Sequence, residues 1–193
     1  VSLSASTDSI AAQAPSGVAM FRANAAHSGV YSASPGQSLA GLQWRFMTDG
    51  DVVSSPTVLA QTVYVGSGDG HLYALDRASG TRRWAYDAHN PIFSSPAVGG
   101  GAVYFGTRDG ALFAIDAATG RQRWTFTTGR LMAWPWGHES GDVYTSSPAF
   151  DQGTVFFGAG DGRVYAVSAA TGKEKWHAQT EGRVRASPAV DAS

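Results

Sequence analysis

Apolar and polar residues alternate with a period of two along most of the chain. In Thr62-Val63-Tyr64-Val65-Gly66 and His71-Leu72-Tyr73-Ala74-Leu75-Asp76, β-branched and aromatic residues flank Ser67-Gly68-Asp69-Gly70. Period two sends alternate side chains to opposite faces of a strand, and an Asp-Gly step between two such runs is a strong hairpin signal. Glycine follows each Asp because it reaches positive φ without a steric penalty. A second turn, Asp76-Arg77-Ala78-Ser79-Gly80, leads into the Trp-bearing strand Thr81-Arg82-Arg83-Trp84-Ala85-Tyr86, and Ser-Ser-Pro-x-Val segments supply the remaining strand. Proline has no N–H to give a ladder, so these prolines belong near a strand start or an unpaired edge. No segment is long or periodic enough for a crossover helix, which excludes a parallel sheet.

The pattern repeats. Ser-Pro steps end at Pro56, Pro96, Pro148 and Pro188, and tryptophans stand at Trp44, Trp84, Trp124 and Trp176. Successive intervals are 40, 52 and 40 for the prolines and 40, 40 and 52 for the tryptophans. Asp69, Asp109 and Asp161 each lie 15 residues before a tryptophan. The unit is therefore 40 residues, with one 12-residue insertion after Trp124. Four short strands in about 40 residues make one propeller blade. The expected fold is all-β: β-propeller blades of four antiparallel strands, with an incomplete ring or part of a seven- to eight-bladed one. Three complete blades are expected at 54–93, 94–145 and 146–185. A flexible tail at 1–17, a partial blade at 18–53 in which Leu42-Gln43-Trp44-Arg45-Phe46 is an outer strand, and the start of another at 186–193, opened by Ser187-Pro188-Ala189-Val190, complete the division. An open β-sandwich or a solenoid is the competing architecture.

Composition narrows the function. Charged residues are only 15% of the chain, Gly is frequent at 24, and aromatics reach 11%, which suits short strands and tight turns rather than wet helical faces. With net charge −1 and no Lys/Arg cluster, phosphate neutralisation has no basis, so nucleic acid is not an expected partner. No apolar stretch approaches the ~20 residues of a membrane span. The absence of cysteine excludes disulfides and thiolate metal sites. Residues 1–17 are Ser/Ala-rich, with no basic start or apolar core, and read as a mature tail or a linker left after processing.

Ala114-x-Asp116-x-x-Thr119-Gly120-x-x-x-Trp124 resembles the tryptophan-docking motif of the bacterial PQQ-like (quinoprotein-type) propellers. The runs Ala74 to Trp84 and Ala166 to Trp176 repeat it with one change each, Ser79 replacing Thr and Ser168 replacing Asp. Met20-Phe21-Arg22-x-Asn24-x-x-His27-Ser28-Gly29 is similar to the opening segment of secreted bacterial propellers of this class. The resemblance implies that Trp44, Trp84, Trp124 and Trp176 dock between neighbouring blades, with Asp116 and Thr119 closing the preceding turn. It implies a periplasmic or secreted bacterial protein. Family rings of about 280 to 320 residues exceed this chain, so the expected partners are the remaining blades of the same propeller, another protein, or a second copy sharing one ring. The family contains dehydrogenases, assembly scaffolds and sensors, and the fold does not choose among them.

The insertion carries the candidate chemistry. Trp134, Trp136, His138, Glu139 and Asp142 lie on a connection between blades and can form a pocket wall or docking surface. The same tryptophans can equally plug the channel mouth. His138, Glu139 and Asp142 are metal-capable, but no second cluster supports them. Asp69, Asp109 and Asp161 suit hairpin turns better than calcium loops. Gly66-Ser67-Gly68-Asp69-Gly70 lacks the helix that a phosphate-cradling loop needs, and the scattered His71, His89, His27 and His177 accompany no nucleophile elbow. Family dehydrogenases hold PQQ against adjacent cysteines and beside calcium; this sequence has neither the cysteines nor a matching acidic cluster. The leading expectation is a non-catalytic scaffold without cofactor. The alternative is part of a PQQ- and calcium-dependent alcohol or sugar dehydrogenase.

Overall fold

The computed structural model describes residues 19–21, 24, 41–132 and 145–191. Among these there are twelve strands in three four-stranded antiparallel sheets, each a meander in chain order. Blade 1 comprises β1 (Thr57–Leu59), β2 (Thr62–Gly66), β3 (His71–Asp76) and β4 (Arg82–Asp87). Blade 2 comprises β5 (Ala97–Gly99), β6 (Ala102–Gly106), β7 (Ala111–Asp116) and β8 (Gln122–Thr127). Blade 3 comprises β9 (Ala149–Asp151), β10 (Thr154–Gly158), β11 (Arg163–Ser168) and β12 (Glu174–Gln179). Pro56, Pro96 and Pro148 each stand immediately before the first strand of a blade, where no ladder N–H is lost. Gly70, Gly110 and Gly162, which follow the turn aspartates, have φ of 89°, 89° and 82°.

Sheet faces meet in separate apolar clusters. Tyr64, Leu72 and Ala74 of blade 1 pack with Val98, Val103, Phe105 and Ile115 of blade 2. Tyr104, Ala114 and Trp124 of blade 2 pack with Phe150, Phe157 and Tyr165 of blade 3. Val63, Val65, Tyr73 and Leu75 form a third cluster beneath Trp44 and Phe46. Each junction repeats one contact. The Nε1–H of Trp44, Trp84 and Trp124 donates to the carbonyl of Arg77, Ala117 and Ala169 in the next blade, at 2.9, 3.1 and 2.9 Å. The rings lie against Gly80, Gly120 and Gly172. Trp176 contacts Phe156 of its own blade and is 48% exposed, with no described blade beyond it.

Every blade bulges at one place. The register shifts between Ala74 and Leu75, between Ala114 and Ile115, and between Ala166 and Val167, in each case beside the alanine paired with the tryptophan. The extra residue is Arg83, Arg123 or Lys175, consistent with a bulge re-aiming a side chain. Arg83 and Arg123 reach Asp76 and Asp116 at 2.6 and 2.8 Å, while Lys175 reaches Thr154 Oγ1 at 2.6 Å. Beside Arg83 and Arg123, the Asp76 and Asp116 carboxyls are held well below the usual carboxylate range. Asp116 Oδ1 also accepts from the backbone N–H of Ala118 and Thr119 and from the Thr119 hydroxyl. This closes the turn before the tryptophan strand.

The Ser-Ser-Pro segment has a role that the periodicity did not disclose. Ser54, Ser94 and Ser146 each hydrogen-bond the glycine ending the second strand of their own blade, Gly66, Gly106 and Gly158. The following serines link blades. The N–H of Ser55 donates to Ser95 Oγ, that of Ser95 to Ser147 Oγ, and that of Ser147 to Ser187 Oγ, at 2.9, 2.9 and 3.0 Å. A further link ties Asp69 Oδ2 to the Asp49 N–H and the Tyr73 hydroxyl, and Asp161 Oδ2 to the Gly129 N–H and the Tyr165 hydroxyl. Phe113 stands at the matching position of blade 2 and has no hydroxyl to offer.

Two sequence expectations change. Leu42–Phe46, expected as an outer strand, is in no ladder, although Trp44 and Phe46 sit on blade 1 as their counterparts do elsewhere. Ser187–Val190 likewise forms no strand. A strand is defined by its neighbour, and none pairs with either segment among the described residues.

The ring-on-glycine contact is testable. Both Gly120 and Gly153 have positive φ, 72° and 73°, but a Cβ on Gly120 would lie 2.8 Å from the Trp84 ring and one on Gly153 meets nothing within 4 Å. Gly153→Ala is expected to cost about 1 kcal/mol in urea denaturation, the backbone term alone, and Gly120→Ala about 2–4 kcal/mol. Equal losses would show that the ring does not bear on the glycine. Burial pushes the phenols of Tyr64, Tyr73, Tyr86, Tyr104 and Tyr165 upward, with Tyr73 and Tyr104 at about 12, and hydrogen bonds to Asp69 and Asp161 add to the effect for Tyr73 and Tyr165. A phenol raised in the folded state stabilises below its ordinary value of about 10, and that contribution is lost as pH rises toward 12. Absorbance at the phenolate band should therefore show most tyrosines neutral at pH near 10.5 and a joint ionisation with unfolding above it; a simple titration near 10 would contradict the burial.

Candidate functional site

In each blade the first strand begins, the second ends and the fourth ends on one side of the sheet. The turns between second and third strands and the connections between blades therefore share one face. On that face blades 1 and 3 close in the same way. The Ile92 N–H donates to Ser67 O and the Val184 N–H to Ala159 O, each at 3.0 Å. Their side chains crowd Gly66 and Gly158 so tightly that a Cβ there would lie 2.4 Å from Ile92 Cγ2 or Val184 Cγ1. In blade 2 the residue at the position of Ile92 and Val184 is Tyr144, which lies outside the described residues. The connection from blade 2 to blade 3 is the one that carries the 12-residue insertion.

A cleft of ≈ 50 Å³ opens there, between blades 2 and 3. Gly106, Phe157, Gly158 and Ala159 line its strand side; Leu131 and Thr145, the described ends flanking the insertion, line another. Three arginines, Arg108, Arg183 and Arg185, also border it, although the chain as a whole is slightly acidic. The path into the insertion is fixed to blade 3. The Gly129 N–H donates to Asp161 Oδ2 and the Met132 N–H to Gly160 O, both at 2.8 Å. Met132 O in turn accepts from Arg183 through Nε, at 2.7 Å, and through Nη2. Burial raises the Tyr165 phenol, and its hydrogen bond to Asp161 raises it further, so it remains a neutral donor at physiological pH.

The predicted binding residues Trp134, Trp136, His138, Glu139 and Asp142 lie outside the described residues. The aspartates are placed in turns: Asp69 and Asp161 accept from their own hairpins and the preceding blade, and Asp109 accepts from Thr107. His71 stacks on Tyr73 and His177 bonds Glu174. Among the described residues, no three His, Asp or Glu side chains are grouped as metal ligands, and no helix is long and apolar enough to cross a membrane. Arg108, Arg183 and Arg185 were missed by the sequence reading. Arg108 is far in the chain from Arg183 and Arg185, and the available signal was that each stands at a loop position where the other repeats carry different residues.

The chain matches a family model described as outer membrane protein assembly factor BamB over residues 30–131 and 127–193. None of the curated protein sequences matches it. Among solved structures, BamB from Moraxella catarrhalis is 23% identical with a TM-score of 0.61, over 70% of this chain and 40% of that one. A quinohemoprotein alcohol dehydrogenase from Pseudomonas putida HK5 is 29% identical with a TM-score of 0.57, over 72% of this chain and 22% of that one. The corresponding enzyme from Comamonas testosteroni is 27% identical with a TM-score of 0.52, over 67% and 21%. The chain thus spans less than half the length of each. Its repeats, its sheets and the matched segments together establish that it belongs to the PQQ-like β-propeller repeat family that includes the outer membrane protein assembly factor BamB.

Proposed function

We propose that this chain is a non-catalytic propeller segment serving as a protein-interaction or ligand-binding scaffold, with its binding surface at the cleft between blades 2 and 3 and on the adjoining insertion. One observation carries this reading. The recurring aspartates and serines are engaged in turns and blade junctions, whereas three arginines that the other repeats lack border one cleft beside the described flanks of the insertion. Leu131 and Phe157 offer apolar surface there and Arg108, Arg183 and Arg185 offer cationic groups, the mixture that binding surfaces favour. Trp134, Trp136, His138, Glu139 and Asp142 extend this surface in the proposal. Trp44, Trp84, Trp124 and Trp176 are assigned to docking, the last of them against a further blade. A periplasmic or secreted bacterial location is proposed from the family's outer-membrane member.

The second reading is a portion of a PQQ-dependent dehydrogenase with calcium, favoured by the 29% and 27% identity to quinohemoprotein alcohol dehydrogenases. The absence of cysteine from the chain weighs against it.

Two measurements separate these readings. A photo-crosslinking residue at Leu131 or Arg108, in the bacterium of origin, is expected to give discrete adducts, and one at Ala78 on the opposite face none; adducts from Ala78 alone would overturn the assignment of the surface. Titration with pyrroloquinoline quinone and calcium, followed by tryptophan fluorescence, is expected to show no saturable quenching. Saturation in the micromolar range would favour the dehydrogenase reading.

A further inference from the structure

The first strand of each blade has one edge on its own sheet and the other turned away from it. In β5 that outer edge is used. The Ala19 N–H donates to Val98 O at 2.9 Å and the Val98 N–H donates to Ala19 O at 2.6 Å, an antiparallel bridge outside the twelve strands. A polypeptide running antiparallel to β5 has thus taken both main-chain groups of one residue, as in strand addition at an exposed sheet edge. The next side chain, Met20, is 4% exposed and belongs to the buried cluster with Ala97, Tyr104 and Phe150.

Corresponding groups in the other blades do not have this partner. Val58 and Phe150 stand in β1 and β9 where Val98 stands in β5, paired with Val63 and Val155 as Val98 is with Val103. Among the described residues, only Val98 of these three is bridged on its outer edge. The blade-2 edge is therefore distinguished by what binds it: a residue small enough to pass close to the strand, followed by an unbranched apolar one that enters the cluster. Methionine suits this position because its flexible thioether fills irregular gaps.

We propose that the outer edge of β5 is a strand-recognition site, occupied in cis by Ala19 and Met20, and that it accepts in trans an extended peptide with a small residue followed by a large unbranched apolar one. Backbone bonds supply attachment and the Met20 position supplies selectivity. This site lies on the first strand of blade 2, and its success or failure is independent of the cleft and the insertion.

The test uses the full chain. Ala19→Pro removes the N–H that donates to Val98 O, and is expected to speed hydrogen exchange at the Val98 amide roughly tenfold, while Ala19→Gly, which keeps the N–H, changes it by about twofold or less. A synthetic peptide of residues 16–24 added to the Ala19→Pro chain should bind saturably and restore Val98 protection; the same peptide with proline at position 19 should not. Should Ala19→Pro fail to fold by circular dichroism, Met20→Ala, which leaves every backbone group in place, serves with the same peptides. Unchanged Val98 exchange in a folded Ala19→Pro chain, or equal binding of the two peptides, would overturn the proposal.

Discussion

An indole laid flat against a glycine is the contact on which the rest of this structure depends. At Gly80, Gly120 and Gly172 the ring atoms Cγ, Cδ2 and Cε3 lie so close that no Cβ fits between them. The same three glycines have φ of 71°, 72° and 69°, values that L side chains rarely adopt. One residue thus satisfies two demands, closing a turn and leaving room for the ring. The indole N–H then finds a carbonyl three residues earlier in the same turn, so a large apolar group is buried without orphaning its donor. Moving the tryptophan by one strand position would turn it to the other face of its sheet.

The bulge follows from that demand. Each tryptophan pairs with an alanine, Ala74, Ala114 or Ala166, and the register slips immediately beside it. The slip turns the preceding basic residue away from the junction, toward the turn carboxylate in blades 1 and 2. In blade 3 Ser168 replaces that carboxylate, and Lys175 finds Thr154 instead. The motif varies where it faces solvent and holds where it faces the next sheet.

Much of this was legible from the chain. Strand number, turn glycines, proline placement and the in-phase tryptophans follow from period two inside a period of 40, because both are local. The serine relay was hidden, since Ser55, Ser95, Ser147 and Ser187 carry no apolar signal and their partners lie 40 or 52 residues away. The bulges were hidden because one extra residue in a six-residue strand barely disturbs alternation. Leu42–Phe46 has the pattern of β4 and β8, but a ladder needs a neighbour that pattern cannot supply. The cleft was half legible. The insertion marks its place in the sequence, whereas Arg108 and Arg183 border one cleft only when two blades stand side by side.

Blade contacts have a direction. Trp44, Trp84 and Trp124 each reach forward to the next blade's glycine, and the N–H groups of Ser55, Ser95 and Ser147 each reach forward to the next hydroxyl, so one face of a blade donates and the other receives. Such head-to-tail contacts cannot form between two identical faces. Of the four donors, Trp44, Trp84 and Trp124 occupy the three receiving glycines present in the described residues, and Trp176 is left half exposed. Among the described residues, a second identical copy could receive Trp176 at Gly80 after displacing Trp44. Trp44 belongs to a segment without a ladder among the described residues, whereas Trp84 and Trp124 stand in β4 and β8. A further blade of the same repeat, bringing a turn glycine of its own, would meet Trp176 without that displacement.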